Sequence, residues 1–350
     1  MMAQISVVMA TYNGAAHVRQ QALSLLAQAQ LPAELVVADD GSTDATLDVL
    51  RDTLAGAPFP VHLHQNALNK GYRRNFIEAA SLASAPLVAF CDQDDVWRPD
   101  KLARMTRAFD DPAVKLAYHN AAVTDRESRA TGRLYGSDGG RKVSESSLAD
   151  PWSFSLGFTQ VFRRELIAFT PLHALSCDFL FPQERLAHDQ WFFFLASCFG
   201  RIAFIDEDLV AYRQHEANVF GAIDRGRARR LAVFKATLDH SRGQVAARGA
   251  SLSAKEAILK AIAKDETQDG SCRATATALA GHYEEFAALY ADRVGTYSHG
   301  IGSRTAFWLH LLASRRRLGT RGLAYPARHA VRDLVFGVLL ASLASPTNGH

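Results

Sequence analysis

Three carboxylates within four residues are the strongest chemical signal in this 350-residue chain: Asp92, Asp94 and Asp95 follow the apolar run Pro86 to Cys91. Crowded at one strand end, they raise one another's pKa unless a cation sits among them, and hard oxygen ligands suit Mg2+ or Mn2+. A metal held there could neutralise a pyrophosphate leaving group. The plainer reading is a solvated acidic turn that caps the helix after Pro99. Asp39 and Asp40, ahead of Gly41-Ser42-Thr43-Asp44, form a second acidic turn. Ser42 or Thr43 would cap the next helix, which leaves the paired carboxylates unexplained unless one accepts an N–H from a pyrimidine base. Thr11 and Tyr12 could floor a base site, though each is also ordinary turn chemistry. Asn69 to Asn75 is a basic turn entering a helix, a ready anion site or simply solvated surface. Asp189, before the apolar run Phe192 to Leu195, is either a helix N-cap or a general base. His215, after another short strand, is a structural histidine or a metal or phosphate contact.

These residues need a scaffold that brings separate strand ends together. Ile5 to Ala10, Glu34 to Ala38, Val61 to His64, Pro86 to Cys91 and Val114 to Tyr118 read as strands. Between them His17 to Gln28, Thr43 to Ala55, Tyr72 to Ala83 and Asp100 to Phe109 have the apolar spacing of helices. The alternation predicts an α/β fold, a doubly wound, mostly parallel, Rossmann-like sheet whose ligands bind beyond the carboxyl ends of the strands. Thr124 to Ser147 reads as a long loop. Phe158 to Phe162, Arg201 to Ile205 and Leu209 to Arg213 are further strands, and His188 to Phe199 an aromatic helix. After Phe220 the pattern is helical only, with segments expected at 227–247, 254–266, 273–293, 304–318 and 326–344.

The boundary at 220/221 also divides the charge. Residues 1–220 carry 20 Lys and Arg against 26 Asp and Glu, whereas residues 221–350 carry 19 against 10, so a formal net charge of +3 hides two opposed halves. The domains expected are therefore 1–220, acidic and catalytic, and 221–350, a basic helical extension facing a polyanion. Cys91, Cys177, Cys198 and Cys272 show no paired or zinc-ligand spacing and read as four buried thiols of a reducing cytosol. No export signal is recognisable at the N-terminus. The longest uncharged apolar stretch, Leu334 to Ser345, would rise only ~18 Å as a helix, too short for a ~30 Å hydrocarbon core. It would lie on a membrane or dock on the protein.

Taken together, Ser6 to Gly14, Val36 to Asp44, Asn69 to Asn75 and Phe90 to Pro99 resemble family 2 glycosyltransferases of the GT-A fold. His188-Asp189-Gln190-Trp191 and Tyr212 to Asn218 look like the branch containing bacterial rhamnosyltransferases and builders of O-antigen and capsule. The resemblance covers roughly residues 4 to 220. It implies that Thr11, Tyr12 and Asp39 hold the nucleotide base, with Asp40 and Gln93 grouped among the nucleotide contacts. It implies that Arg74 meets the base or diphosphate, that Asp92 sits near the ribose, and that Asp94 ligates a divalent metal. Asp189 would be the base and His215 a second metal ligand, with Asp95 unassigned.

The activity implied is a metal-dependent, inverting transfer from a UDP- or dTDP-linked sugar to a saccharide acceptor, expected to be lipid-linked. A sugar nucleotidyltransferase would show a Gly-rich, Arg-containing first loop where this chain has Ala10 to Gly14, and a non-catalytic carbohydrate-binding scaffold would not need Asp92, Asp94 and Asp189 together. Seven arginines (Arg304, Arg315, Arg316, Arg317, Arg321, Arg328 and Arg332) against Asp333 alone in residues 300–350 favour an anionic membrane surface as the polyanion. No nucleic-acid motif accompanies that charge. The expected setting is cytoplasmic, peripheral on the inner face of the membrane.

Overall fold

The computed structural model describes residues 4–125, 129–135, 142–144, 151–213, 230–298, 300–318 and 333–339, which group into two compact units. The first comprises Met1–Pro171 and Ala187–Ile223, the second Leu172–Leu186 and Asp224–His350.

Ten strands make one mixed sheet in the first unit: β1 (Ile5–Thr11), β2 (Glu34–Asp39), β3 (Val61–Gln65), β4 (Leu87–Cys91), β5 (Val96–Trp97), β6 (Val114–Thr124), β7 (Ala130–Arg133), β8 (Lys142–Ser144), β9 (Gln160–Arg163) and β10 (Arg201–Arg213). Their order is β3-β2-β1-β4-β9-β6-β10-β5, with β7 on β6 and β8 on β10. The first four are parallel. β9 enters antiparallel to both β4 and β6, and β6 and β10 are again parallel to each other. The order reverses direction between β1 and β4, which makes that gap the crevice where such sheets bind ligands.

β1, β2 and β4 consist almost wholly of fully buried residues, the pattern of strands covered on both faces. Helices α1 (Val18–Leu26), α2 (Thr46–Leu54), α3 (Tyr72–Ala80) and α4 (Lys101–Thr106) supply that cover. α5 (His188–Phe199) is buried nearly all round, as expected of a helix without a polar stripe. Phe192 stacks on Phe162 of β9 at 4.1 Å, and Phe90 of β4 meets both rings within 5.6 Å.

Several expected elements differ. The stretch expected as a loop from Thr124 to Ser147 contains β7 and β8, which attach through backbone pairing to β6 and β10. β7 is exposed throughout, so no apolar alternation could mark it in the sequence. The two strands expected at 201–205 and 209–213 form one, interrupted by register shifts that absorb the polar run Asp206 to Asp208. Only Cys91 and Cys198 are buried among the thiols, Cys177 and Cys272 being half-buried.

The second unit is helical. The segments expected at 227–247 and 254–266 are one 35-residue helix, α6 (Arg230–Lys264), followed by α7 (Gly270–Ser298) and α8 (Ile301–Leu318). Asp333–Leu339 is wound as a π-helix and docks on this unit. The buried Arg293 guanidinium donates to both oxygens of Asp333 at 2.8 and 3.1 Å, and the Tyr297 hydroxyl adds a third bond at 2.8 Å. That half of the Leu334 to Ser345 segment is thus packed on protein; residues 340–345 lie outside the described residues. No helix among the described residues is long and apolar enough to cross a membrane.

Gly200 closes α5 against the turn that leads into β6. A Cβ there would stand 2.2 Å from Lys115 Cγ and 2.5 Å from the Ala113 carbonyl oxygen. Gly200→Ala is therefore expected to destabilise the protein by ~1–3 kcal/mol, read as a lower urea midpoint with an unchanged slope.

Candidate functional site

A cavity of about 640 Å³ opens at the carboxyl ends of β1, β2 and β4. Its wall includes Thr11, Tyr12, Asp40, Asp92, Gln93, Asp94 and Asp189, together with Arg73, His17 and His188. Volumes of this size suit a small-molecule ligand or cofactor.

The loops around it are held by side chains from neighbouring strand ends. Asp39 is fully buried and accepts from Thr11 Oγ1 at 2.9 Å, the Ser42 N–H at 2.8 Å and Ser42 Oγ at 2.5 Å. Asp40 accepts from Asn66 Nδ2 at 2.9 Å and from the backbone N–H groups of Lys70 and Gly71 at 2.9 and 2.8 Å, which fixes the basic turn. Ser42 Oγ accepts from the Asn13 N–H, and Asn13 Oδ1 accepts from the Thr43 N–H, each at 2.8 Å. Ser42 and Thr43 thus serve this cross-link instead of capping the helix. α2 starts later, at Thr46, whose N–H donates to Asp44.

The acidic turn after β4 is half-buried at Asp92, Gln93 and Asp94 and fully buried at Asp95. Burial first, then the neighbouring charges of Asp94 and Asp189, push Asp92 from 3.8 up to about 7. Asp95 lies under the turn, 1% exposed, with one oxygen accepting from the Arg213 N–H at 3.4 Å and the other unpartnered. Burial, then the charges of Asp92 and Asp94, raise its carboxyl well above the usual range. The cation beside them is Lys101, fully buried at the start of α4. Its Nζ donates to the Phe158 carbonyl at 2.7 Å and sits 3.4 Å from the centre of the Trp97 ring. Burial lowers it from 10.5 to about 7, against the pull of Cys91, Asp95 and Asp92.

Asp189 stands in the first turn of α5, where the helix dipole favours a carboxylate. It is not the N-cap. Ala187 holds that position, and Gln190 Oε1 accepts the Ala187 N–H at 2.9 Å, which leaves the Asp189 side chain on the cavity wall. α5 is oriented by His188, stacked on Phe76 at 4.0 Å and edge-on to Phe90. Gly157 admits this packing, since a Cβ would stand 2.3 Å from His188 Nε2.

Residues 6–169 match the model for "Glycosyl transferase family 2". An uncharacterized glycosyltransferase of a Nostoc species is 29% identical over 225 residues, which cover 61% of this chain and 66% of that protein. The dTDP-rhamnosyl transferase RfbG of Shigella flexneri is 27% identical over 61% of this chain and 74% of its own length. The fold is similar to that of S. aureus TarS: the complex of TarS 1–349 with UDP-GlcNAc superposes with a TM-score of 0.51 at 15% identity, covering 92% of this chain and 93% of that one.

The structure gathers Thr11, Tyr12, Asp40, Asp92, Gln93, Asp94 and Asp189 around one cavity. Asp39 lies behind it. Arg74 is exposed and donates to Glu78 at 2.6 Å, whereas its neighbour Arg73 lines the cavity. His215 lies outside the described residues. Among the described residues, no three His, Cys, Asp or Glu side chains form a closed metal-ligand set. Sequence reasoning missed Lys101, His17, His188 and Arg73. Arg73 and His188 stood in segments the sequence singled out without a role of their own, and Lys101 carried a signal as a lysine at a helix start where the dipole disfavours it.

An acid whose pKa rises on folding binds its proton more tightly in the folded chain. The fold therefore loses stability as pH climbs from Asp92's unfolded value of 3.8 toward about 7. In EDTA, Asp92→Asn is expected to stabilise the protein at pH 8 by ~1–3 kcal/mol and to give little gain at pH 4, read from thermal midpoints at the two pH values.

Proposed function

We propose that the protein is an inverting glycosyltransferase that moves a sugar from a UDP- or dTDP-linked donor to a saccharide acceptor, lipid-linked, in cell-surface polysaccharide biosynthesis. The observation that carries this reading is the convergence of Asp92, Asp94 and Asp189 on one cavity at the strand-order reversal. Asp189's charge lies close enough to raise Asp92, so an acceptor hydroxyl facing Asp189 would stand near a donor held over the acidic turn.

The division of labour follows. Tyr12 and Thr11 floor the nucleotide base, with Asp39 behind them, and the turn held by Asp40 offers backbone N–H groups and Arg73, with Arg74 beside it, to the diphosphate. Asp189 accepts the proton of the attacking hydroxyl, which approaches the anomeric carbon from the face opposite the leaving nucleoside diphosphate. Inversion needs no carboxylate nucleophile. Asp94 would hold a divalent cation, Mg2+ or Mn2+, with His215 as a further candidate ligand and Asp92 near the ribose. The fit rests on hard oxygen donors and on the burial and mutual repulsion that raise Asp92 and Asp95, the second of which a bound cation would relieve. When bound, that cation would neutralise the departing diphosphate. The relatives' names support the donor class: one transfers rhamnose from dTDP, and the succinoglycan biosynthesis protein ExoO of Rhizobium meliloti is 33% identical over 41% of this chain. The basic residues 315–332 are assigned to an anionic membrane surface, where a lipid-linked acceptor would be presented; Arg304, expected to share that role, is instead buried and donates to the Gly337 carbonyl at 3.3 Å.

A screen of UDP- and dTDP-linked sugars for donor hydrolysis tests the activity. Asp189→Asn is expected to keep donor affinity and to lose transfer by 10²-fold or more, on the order of a missing general base; unchanged turnover removes Asp189 from the mechanism. Asp94→Ala is expected to abolish the dependence of UDP binding on Mn2+. Equal UDP affinity of the parent with and without EDTA refutes the metal assignment.

A further inference from the structure

β1 and β4 stay in parallel register up to Met9 and Cys91, and beyond that pair their ends part to open the crevice. At the parting the Gln93 side chain spans the gap. Its Oε1 accepts from the Tyr12 N–H at 2.9 Å, and its Nε2 donates to the Tyr12 carbonyl at 3.1 Å. A primary amide carries the same donor and acceptor as a peptide unit. This two-point contact therefore continues the sheet ladder past the point where the strands themselves diverge.

Gly14 independently records the same contact. A Cβ at that position would stand 2.1 Å from Gln93 Oε1 and 2.4 Å from its Cδ, so any larger residue would drive the amide off Tyr12. On the other side Asn13, at φ +46°, is pinned by Ser42 and Thr43. Tyr12 is thus gripped through its backbone on both flanks, while its side chain remains 47% exposed and lines the cavity. A fixed backbone under an open ring is what a stacking platform requires, because a base then binds without first ordering the loop that carries the ring.

We infer that Gln93 is a positioning residue for the nucleotide base: it holds the Tyr12 backbone so that the ring is aimed at the base, and it ties that platform to the Asp92 to Asp94 turn. The inference rests on the reading of Tyr12 as the base platform. Gln93 acts through Tyr12, whereas a direct contact between Gln93 and the nucleotide would act independently of it.

A double-mutant cycle separates the two, with UDP and dTDP as probes in MgCl2 and binding measured by calorimetry on the full chain. Tyr12→Ala and Gln93→Ala are each expected to raise Kd roughly tenfold, and the double variant is expected to be no weaker than Tyr12→Ala alone. Gly14→Ala is expected to give the same loss in the parent and none in the Gln93→Ala background, where the new methyl has room. Additive losses for Tyr12 and Gln93 place Gln93 on the nucleotide or in general upkeep of the fold, the latter marked by a lowered thermal midpoint, and either overturns the inference. A loss in Tyr12→Ala with none in Gln93→Ala removes the latch and leaves the platform standing. An unchanged Kd in Tyr12→Ala removes the platform and the latch together. A parent chain that binds neither nucleotide overturns the donor reading along with both.

Discussion

An excess of carboxylate charge at the end of a buried strand is the constraint on which this structure turns. β4 is apolar and enclosed along its length, yet it runs straight into Asp92, Gln93, Asp94 and Asp95. Taking even one carboxylate out of water costs several kcal/mol unless something offsets it. Two features moderate that cost. Lys101 places a buried ammonium beside the turn, and protonation relieves Asp92 and Asp95, whose pKa values are raised for that reason. Neither balances the turn completely. The residual charge gives a divalent cation and a diphosphate a reason to bind there together.

Lys101 also links the acidic turn to the far wall. The carbonyl it binds belongs to Phe158, whose ring stacks on Tyr212 at 4.8 Å, and both residues line the cavity. The acidic turn and the 154–158 segment are therefore one packed assembly. The other strand ends are joined in the same way, by short polar side chains that reach across from one loop to bind the backbone of the next. Asp40, Ser42, Asn13 and Gln93 all do this, while Asp39 reaches across to the Thr11 hydroxyl. Residues that look like a row of ligand contacts in the sequence are thus in large part the framework that sets the remaining contacts in place.

That dual use explains which parts of the site the sequence disclosed. Composition at strand ends marked Asp40, Asp92, Asp94 and Asp189, because charged residues beside apolar runs have few uses other than caps or chemistry. It could not separate Asp39, which faces inward, from Asp40, which faces the cavity, since both are adjacent carboxylates in one turn. Nor could it choose between Arg73 and Arg74, whose orientations depend on where α3 begins and on Glu78 one turn along. His188 carries no local signal. Its place is fixed by Phe76, Phe90 and Gly157, drawn from distant parts of the chain.

By itself the sequence determined the alternation of strand and helix, the parallel core of the sheet, the polar character of the strand ends and the break in charge near residue 220. Each follows from local periodicity or composition, which short-range sterics and burial translate directly into structure. The tertiary structure alone decided the antiparallel entry of β9, the exposed strand β7 and the added strand β8, the single long helix α6 and the docking of Asp333 on Arg293. Those features rest on backbone pairing and on contacts between residues tens of positions apart. Pairing of that kind leaves no periodic trace in the chain, because any residue with a free N–H and C=O can make it.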